Sequence, residues 1–359
     1  MSTTFRIATF NAENLFARAK VLNLDDRTVG DDALKNIGEL QKELRKSTYD
    51  KTKILNLYNL VKNYVSISED RGKLWRRSGQ QITGVAANGK ENWDGSVVFK
   101  RAKFSEMTRQ NTKKVITKVN ADLMCVVEVD DKPTLRAFDS QLLNSRYKYD
   151  MLIDGITDPR GIDVGLYSKR PIGGVWTHMY DKKNNEYIFS RDCLEVEVFL
   201  DQGTSLHILC NHFKSKGYGS ASVGNAKRKS QAERVAEILH SRYDLDNDLV
   251  VVAGDLNDTA DSNPLSPLMG VSGLKDVLEM QFPNDPGKRW TYHYTANEQI
   301  DFLLVSRPLQ NAFIKAGVER RGIHDLSTFS GGTEDSFDTV TSQANQASDH
   351  GALWADFNL

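Results

Sequence analysis

The 359-residue sequence has little cysteine and little proline, three and eight residues respectively. Three cysteines scattered along the chain cannot build a disulfide framework. Cys125, Cys193 and Cys210 each fall in an apolar, strand-like run. They read as buried small hydrophobes rather than a thiolate metal cluster, and a reducing compartment is their natural setting. No apolar run approaches the roughly 18 residues that a membrane-spanning helix needs. The start, Met1-Ser-Thr-Thr-Phe-Arg-Ile-Ala-Thr-Phe, lacks a basic segment followed by an apolar stretch, so the expectation is a cytoplasmic protein without a secretory leader. Net charge is also nearly absent: 47 Lys and Arg stand against 48 Asp and Glu. The chain as a whole therefore carries no polyanion-binding signature.

What is present is a soluble composition, 39% hydrophobic and 26% charged, which excludes disorder and low-complexity scaffolds. The charge is unevenly placed. Between Lys42 and Lys118 there are 18 basic and 7 acidic residues, a local balance of +11, and the remainder carries 29 basic and 41 acidic. A basic segment on an acidic body suits a polyanionic partner, though a solvated helical surface would look the same.

Hydrophobic periodicity organises the rest. Phe5 to Phe10 and Asp122 to Val129 read as buried strands. Leu34, Ile37, Leu40 and Leu44, then Ile54, Leu57, Leu60, Val61 and Tyr64, follow helical spacing. Residues 66–104 are polar and patternless and read as loop. Ser105 to Asn120 and Pro133 to Leu143 read as helices. Further strands are expected at Asp163 to Ser168, at Leu194 to Leu200 with a hairpin partner from Leu206 to His212, at Leu249 to Ala253, at Ile300 to Val305 and at Ala352 to Phe357. Ala232, Val235, Ala236 and Leu239 form a helical stripe. Hairpins mixed with helices predict packed sheets with outer helices.

The polar residues of interest gather at strand ends: Asn11 and Glu13, Glu128, His212, Asp255 and Asn257, Asp301, Asp349 and His350. Singly, each has a bland reading. Gly254-Asp-Leu-Asn-Asp is a plausible turn, and Ser348-Asp-His also suits a turn before a strand. Glu128 is harder to dismiss, because a carboxylate closing an apolar run needs a partner. Together, carboxylates and an asparagine amide are hard oxygen ligands that suit Mg²⁺ or Mn²⁺ rather than Zn²⁺. Two histidines and an Asp–Asn pair remain for acid–base work, a set suited to attack of water on a phosphodiester.

In order, Thr9-Phe-Asn-Ala-Glu-Asn, Val126-Val-Glu-Val, Asn211-His-Phe-Lys-Ser-Lys, Ala253-Gly-Asp-Leu-Asn-Asp, Gln299-Ile-Asp-Phe-Leu-Leu-Val and Ala347-Ser-Asp-His-Gly resemble the endonuclease/exonuclease/phosphatase superfamily. Asp158-Pro-Arg-Gly-Ile-Asp-Val and Ser190-Arg-Asp-Cys-Leu-Glu-Val resemble its bacterial nuclease-like branch. The resemblance implies a four-layer αββα sandwich of two packed mixed sheets flanked by helices. It also implies one catalytic domain over 1–359, interrupted at about 17–104 by a helical, basic insertion.

The resemblance further implies a metal site of Glu128, Asn11, Glu13 and Asp349. Asp255 would orient the attacking water, supported by Asn257. His350 would act on the scissile phosphate, held by Asp301, and His212 would contact phosphate or the leaving oxygen. Arg160, Arg191, Lys214 and Lys216 are candidate phosphate contacts. A structural salt bridge is as good a reading for either arginine. Lys214, Lys216, Lys227, Arg228 and Lys229, with Gly217, Gly219 and Gly224, read as a mobile basic loop able to clamp a nucleic-acid backbone. The aromatics of Trp290-Thr-Tyr-His-Tyr fit core packing better than base stacking.

The leading expectation is a Mg²⁺- or Mn²⁺-dependent DNA endonuclease. The alternative keeps the chemistry and changes the substrate to RNA, nucleotides, inositol phosphates or phospholipid head groups. A catalytically dead module would lack one of the key residues, and none is missing. The insertion is expected to meet polyanion or a protein partner.

Overall fold

The computed structural model describes residues 4–15, 19–22, 27–100, 105–155, 161–200, 203–216 and 220–359. The chain divides into two compact units. One is Ala17–Lys103, and the other is built mainly from the N-terminal strand with Phe104–Lys216 and Ala221–Leu359.

Strand β1 (Thr4–Leu15) opens the larger unit. The smaller unit follows, with α1 (Arg27–Leu44), α2 (Lys51–Val61), β2 (Val65–Gly72), β3 (Trp75–Ser78), β4 (Gln81–Val85) and β5 (Trp93–Phe99). Asp50 caps α2 by accepting from the Lys53 amide at 2.9 Å, one of the donors that a helix start leaves free. Strand β2 pairs with β5, and β3 with β4, both antiparallel. Ile37, Leu40, Ile54, Val61, Val65, Leu74, Trp75 and Trp93 bury together as this unit's own core.

The expectation of loop over 66–104 is thus corrected: four strands occupy much of it. They escape a pattern reading because each buries only one or a few side chains. In β2, Val65 is buried while the rest of the strand is half-buried or exposed. Glycines at 72, 79, 84 and 95 dilute the alternation further. The insertion is therefore helix plus sheet, not helical throughout.

The larger unit continues through α3 (Glu106–Val119), β6 (Leu123–Val129), α4 (Lys132–Leu142), β7 (Tyr149–Leu152), β8 (Asp163–Ser168) and β9 (Ile172–Trp176). The short hairpin β10 (Lys182–Lys183) and β11 (Glu186–Tyr187) precedes β12 (Leu194–Phe199), β13 (Ser205–His212), α5 (Ala221–Arg242) and β14 (Leu249–Asp255). Then come α6 (Ser266–Met269), β15 (Lys275–Asp276), α7 (Val277–Gln281), β16 (Tyr292–His293) and β17 (Asn297–Glu298). Strand β18 (Asp301–Val305), α8 (Arg307–Asn311), β19 (Phe313–Glu319), α9 (Leu326–Phe329) and β20 (Ala352–Asn358) complete it.

Two six-stranded mixed sheets form, ordered β19-β20-β1-β6-β8-β7 and β15-β18-β14-β13-β12-β9. Strand alternation sorts the side chains into layers. Ile7, Leu123, Cys125 and Val127 of the first sheet bury with Val196, Ile208, Cys210, Val251 and Leu303 of the second. On the outer face of the first sheet, Ala8, Phe10, Met124 and Val126 pack on Val115 and Ile116 of α3 and Leu135 and Phe138 of α4. On the outer face of the second, Leu209, Val250, Val252 and Phe302 pack on Val235, Ile238 and Leu239 of α5. The result is the αββα sandwich. All three cysteines are buried and unpaired.

The basic loop expected after His212 is also corrected. Lys227, Arg228 and Lys229 lie on α5, a helix of 22 residues, in which Gly224 mimics a loop signal. Arg228 is buried, with Nε on Asp258 at 3.0 Å and an Nη on the Lys214 carbonyl at 2.8 Å. Lys227 is buried enough that its ammonium pKa is lowered, and it bonds the Tyr187 carbonyl. Neither cation is available to a nucleic-acid backbone. Among the described residues, no helix is long and apolar enough to cross a membrane.

Candidate active site

The site lies where the inner faces of the two sheets meet at one end of their strands. On the second sheet, His212 pairs with Asp255 across the parallel β13–β14 ladder, and Asp255 pairs with Asp301 across the antiparallel β14–β18 ladder. All three follow the inward parity set by Cys210, Ala253 and Leu303. Three ionisable side chains thus stand in a row across neighbouring strands, each buried. Gly254 makes this register possible. Its φ is +134°, and a Cβ there would lie 1.9 Å from the Asn211 carbonyl oxygen. Only glycine lets β13 and β14 approach so closely just before Asp255.

The first sheet contributes Asn11, Glu13 and Glu128 through backbone irregularities. Asn11 keeps the inward parity of Ile7. Glu128 would face the helices by alternation, but its φ of +63° and a register shift between Val127 and Val129 interrupt the pleat there. Glu13 has φ +47° beside a second register shift, between Asn11 and Leu15. Such bulges re-aim side chains and concentrate next to functional sites. Of nine described non-glycine residues with positive φ, these two alone are neither Asn, Asp nor Ser. Glutamate lacks the short polar side chain that eases this conformation, so the strain points to a role for these two carboxylates.

The hydrogen bonds converge on Asp255. Its Oδ2 accepts from Asn11 Nδ2 and from Asn257 Nδ2, each at 3.1 Å, and its Oδ1 accepts from the Asn257 amide at 2.8 Å. The same Oδ2 lies 3.7 Å from His212 Nε2 and 4.0 Å from His350 Nε2. Burial and the neighbouring Asp301 charge push the Asp255 carboxyl up to about 7. His212 Nε2 is also 3.8 Å from Glu128 Oε1. These gaps are too long for direct hydrogen bonds and suit a small bridging group.

His350 is held on its other side. Nδ1 is 2.8 Å from Asp301 Oδ2, which also accepts from Thr291 Oγ1 at 2.7 Å. Burial alone would lower the imidazole pKa. The Asp301 carboxylate, with Asp255 and Asp349, outweighs it and raises the pKa well above the ordinary range. Asp349 Oδ1 is 3.9 Å from His350 Nε2. Glu13 Oε2 accepts from the Asp349 amide and from Gln346 Nε2, each at 3.1 Å, and the Glu13 amide donates to Asn11 Oδ1 at 3.0 Å.

The candidate phosphate ligands fare differently. Arg191 is buried, and its guanidinium donates to the Phe213 carbonyl, which also accepts from Asn257 Nδ2 at 3.1 Å. It braces the backbone that follows His212. Lys216 forms ion pairs with Asp258 at 3.2 Å and Glu298 at 3.1 Å. The Lys214 ammonium bonds the Ser215 carbonyl at 3.2 Å. Arg160 and the Asp158-Pro-Arg stretch lie outside the described residues.

The profile of the Endonuclease/Exonuclease/phosphatase family matches residues 100–350. The chain belongs to this family. No curated protein matches it by sequence. TDP2 of D. rerio, solved in complex with a single-stranded DNA product, is 14% identical over 70% of this chain and 92% of its own, with TM-score 0.50. A truncated Caenorhabditis elegans TDP2 is 19% identical over 70% and 91%, with TM-score 0.48. An AP endonuclease from Archaeoglobus fulgidus is 15% identical over 69% and 93%, with TM-score 0.49. The first of these likenesses shows a shared fold.

Family membership makes the chain a hydrolase of phosphate esters whose chemistry relies on a divalent metal. The residues present fit such an ion. Asp255, Asp301 and His350 bring ligand-capable atoms within 4.8 Å of one another, although the Asp301–His350 hydrogen bond already commits one atom of each. Asp301 Oδ1 is buried without a hydrogen-bond partner, a local excess of acceptor. None of Asp255, Asp301 and His350 belongs to the expected ligand set of Glu128, Asn11, Glu13 and Asp349, in which Glu128 Oε1, 3.8 Å from His212 Nε2, and Asp349 Oδ1, 3.9 Å from His350 Nε2, add hard oxygen donors beside the cluster.

Three further residues, each inside a quoted motif or aromatic stretch but given no role there, position the site. Thr291 clamps Asp301. Ser348 Oγ donates to the Asn11 carbonyl at 2.7 Å and accepts from the His350 amide at 3.0 Å, tying β1 to the approach to β20. Tyr292 tilts against the His350 ring, with centroids 4.7 Å apart. The Thr-Tyr pair inside Trp290-Thr-Tyr-His-Tyr is the feature that could have revealed two of them. Trp290 itself is buried, under the Arg320 guanidinium.

Proposed function

We infer that the protein is a Mg²⁺- or Mn²⁺-dependent nuclease that cleaves DNA internally by attack of water on the phosphodiester. The observation that carries this reading is the convergence of His212, His350, Asn11 and Asn257 on one buried oxygen, Asp255 Oδ2, with the two imidazoles standing off at 3.7 and 4.0 Å. The family's chemistry acts on phosphate esters, and a nucleic-acid substrate suits a chain whose net positive charge is concentrated between Lys42 and Lys118.

Asp255, with its carboxyl near pKa 7, accepts a proton from water close to neutral pH. Asn11 and Asn257 fix Oδ2 so that Asp255 cannot rotate away. His350, kept protonated by Asp301, offers Nε2–H to an oxygen that gains negative charge, as a preorganised oxyanion donor does. His212 supplies a second imidazole beside the same position. Glu128, Asn11, Glu13 and Asp349 would hold the metal. When bound, the ion would neutralise phosphate charge and orient the ester.

Supercoiled plasmid incubated with the protein and Mg²⁺ or Mn²⁺ tests this. Nicking that EDTA and His350→Ala both abolish is the expected result. Intact plasmid, with metal bound and the protein folded, overturns the DNA assignment and moves the substrate to RNA or a small phosphate ester.

A further inference from the structure

The main chain just beyond His212 is captured largely by side chains. The Phe213 amide continues the β13–β14 ladder to the Asp255 carbonyl at 2.9 Å. The other three polar groups of Phe213 and Lys214 leave the ladder. The Phe213 carbonyl accepts from Arg191 and from Asn257 Nδ2. The Lys214 amide donates to Gln231 Oε1 at 2.9 Å, and the Lys214 carbonyl accepts from an Arg228 Nη at 2.8 Å. Backbone groups that leave a sheet need new partners, and here a helix supplies two of them.

Arg228 and Gln231 are three residues apart on α5, at the start of the buried stripe that Ala232, Val235, Ala236 and Leu239 continue. Both are buried. The Arg228 guanidinium also reaches Asp258 Oδ2 through Nε at 3.0 Å and Asn225 Oδ1 through its second Nη. Asp258 directly follows Asn257. One planar fork therefore joins the chain that leaves β13 after His212 to the chain that leaves β14 after Asp255. His212 and Asp255 pair across those same two strands, with Nε2 and Oδ2 3.7 Å apart. Stability alone does not call for an arginine at this place, since apolar residues often replace a buried ion pair without loss.

We propose that Arg228, with Gln231 beside it, is the positioning residue that sets His212 against Asp255. It acts through the Lys214 main chain and through Asp258. The two imidazoles are then aimed differently: Asp301 holds His350 by its ring, and α5 holds His212 by its backbone. Lysine at 228 would keep the charge and lose the fork, which alone spans the Lys214 carbonyl and Asp258 together. The proposal rests on the nuclease reading only in taking His212 as part of the reacting centre.

Steady-state cleavage of DNA by Arg228→Lys tests this. kcat should fall at least about tenfold while KM stays within about twofold, the mark of a displaced group rather than of lost binding. In a His212→Ala background the same change should cost less than about twofold, because no imidazole is left to displace. Losses that multiply in the double variant overturn the proposal, and so does a parental kcat for Arg228→Lys. A second readout needs no cleavage. In EDTA, NMR of the histidine-labelled full chain should show the His212 ring resonances, identified by their loss in His212→Ala, shifted by Arg228→Lys, with those of His350 in place. Unmoved His212 resonances overturn the proposal. If the parent chain leaves DNA intact, the nuclease reading falls and the resonances decide this one. Should Arg228→Lys unfold, Gln231→Met, which removes the partner of the Lys214 amide, carries both measurements.

Discussion

His350 stands between two aspartates that face each other across neighbouring strands, with Nδ1 2.8 Å from Asp301 Oδ2 and Nε2 4.0 Å from Asp255 Oδ2. One contact is closed and the other open. Asp301 therefore holds the ring and favours its charged form, while Nε2 stays beyond hydrogen-bond distance of Asp255 and Asp349.

It follows that Asp301→Asn should cost nearly as much as removing the imidazole. The amide cannot hold the imidazolium, and comparable changes in His–Asp pairs lower turnover by about 10⁴. His350→Ala should fall by a similar factor, and the double variant should be no worse than the poorer single one. Single-turnover rates on DNA check this. Additive losses would mean that the two residues act separately.

Glu128→Gln should weaken metal binding rather than the fold. Titration of Mg²⁺ or Mn²⁺ by calorimetry should show affinity down at least about tenfold, with thermal stability in EDTA unchanged or higher. Unaltered metal affinity would remove Glu128 from the ion's ligands.

The pH dependence of metal-free stability follows from Asp255. Its folded-state pKa of about 7 lies above the unfolded value near 3.9, so between those limits the folded chain binds the extra proton. Stability from this group is therefore greatest at low pH and declines as pH rises from about 4 to 7, by at most a few kcal/mol. His350 acts in the same direction at higher pH: its raised pKa contributes stability that is full below about pH 6.5 and is lost as pH rises through the folded pKa. In EDTA, Asp255→Asn should flatten the decline between pH 5 and 7 in thermal unfolding. An unchanged profile would show that Asp255 does not carry the buried proton.

The insertion offers an electrostatic test. Arg71, Lys73, Arg76 and Arg77 are all exposed, within seven residues of β2 and β3. Reversing Arg71, Lys73 and Arg76 should lower DNA affinity and flatten its salt dependence, by a slope of about 0.9 for each duplex phosphate left without its cation. Binding and slope that match the parent would make this surface a solvated face.

Much of the sandwich is legible in the sequence because its central strands, such as Leu123–Val129 and Leu249–Asp255, are buried on both faces and written almost wholly in apolar residues. The edge strands are not. β9 is half-buried along its length and contains two glycines, and β19 alternates poorly, so neither carries a clean period of two. The polar residues of the site stand at strand ends, where motif order locates them. Their supports are less visible: Thr291 acts through a single hydroxyl on the stretch before Asp301, and Ser348 through one that reaches the Asn11 carbonyl at the other end of the sequence. Arg191 reads as an anion ligand because sequence shows its charge but not the Phe213 carbonyl that absorbs it.

The left-handed backbone at Glu13 and Glu128 places two demands on the same residues. For the fold alone, glycine or asparagine would be easier to accommodate at both positions. A population of variants selected only for thermal endurance should drift toward those residues, and one selected for turnover should return to glutamate. The two positions are where the interests of the scaffold and of the chemistry part company.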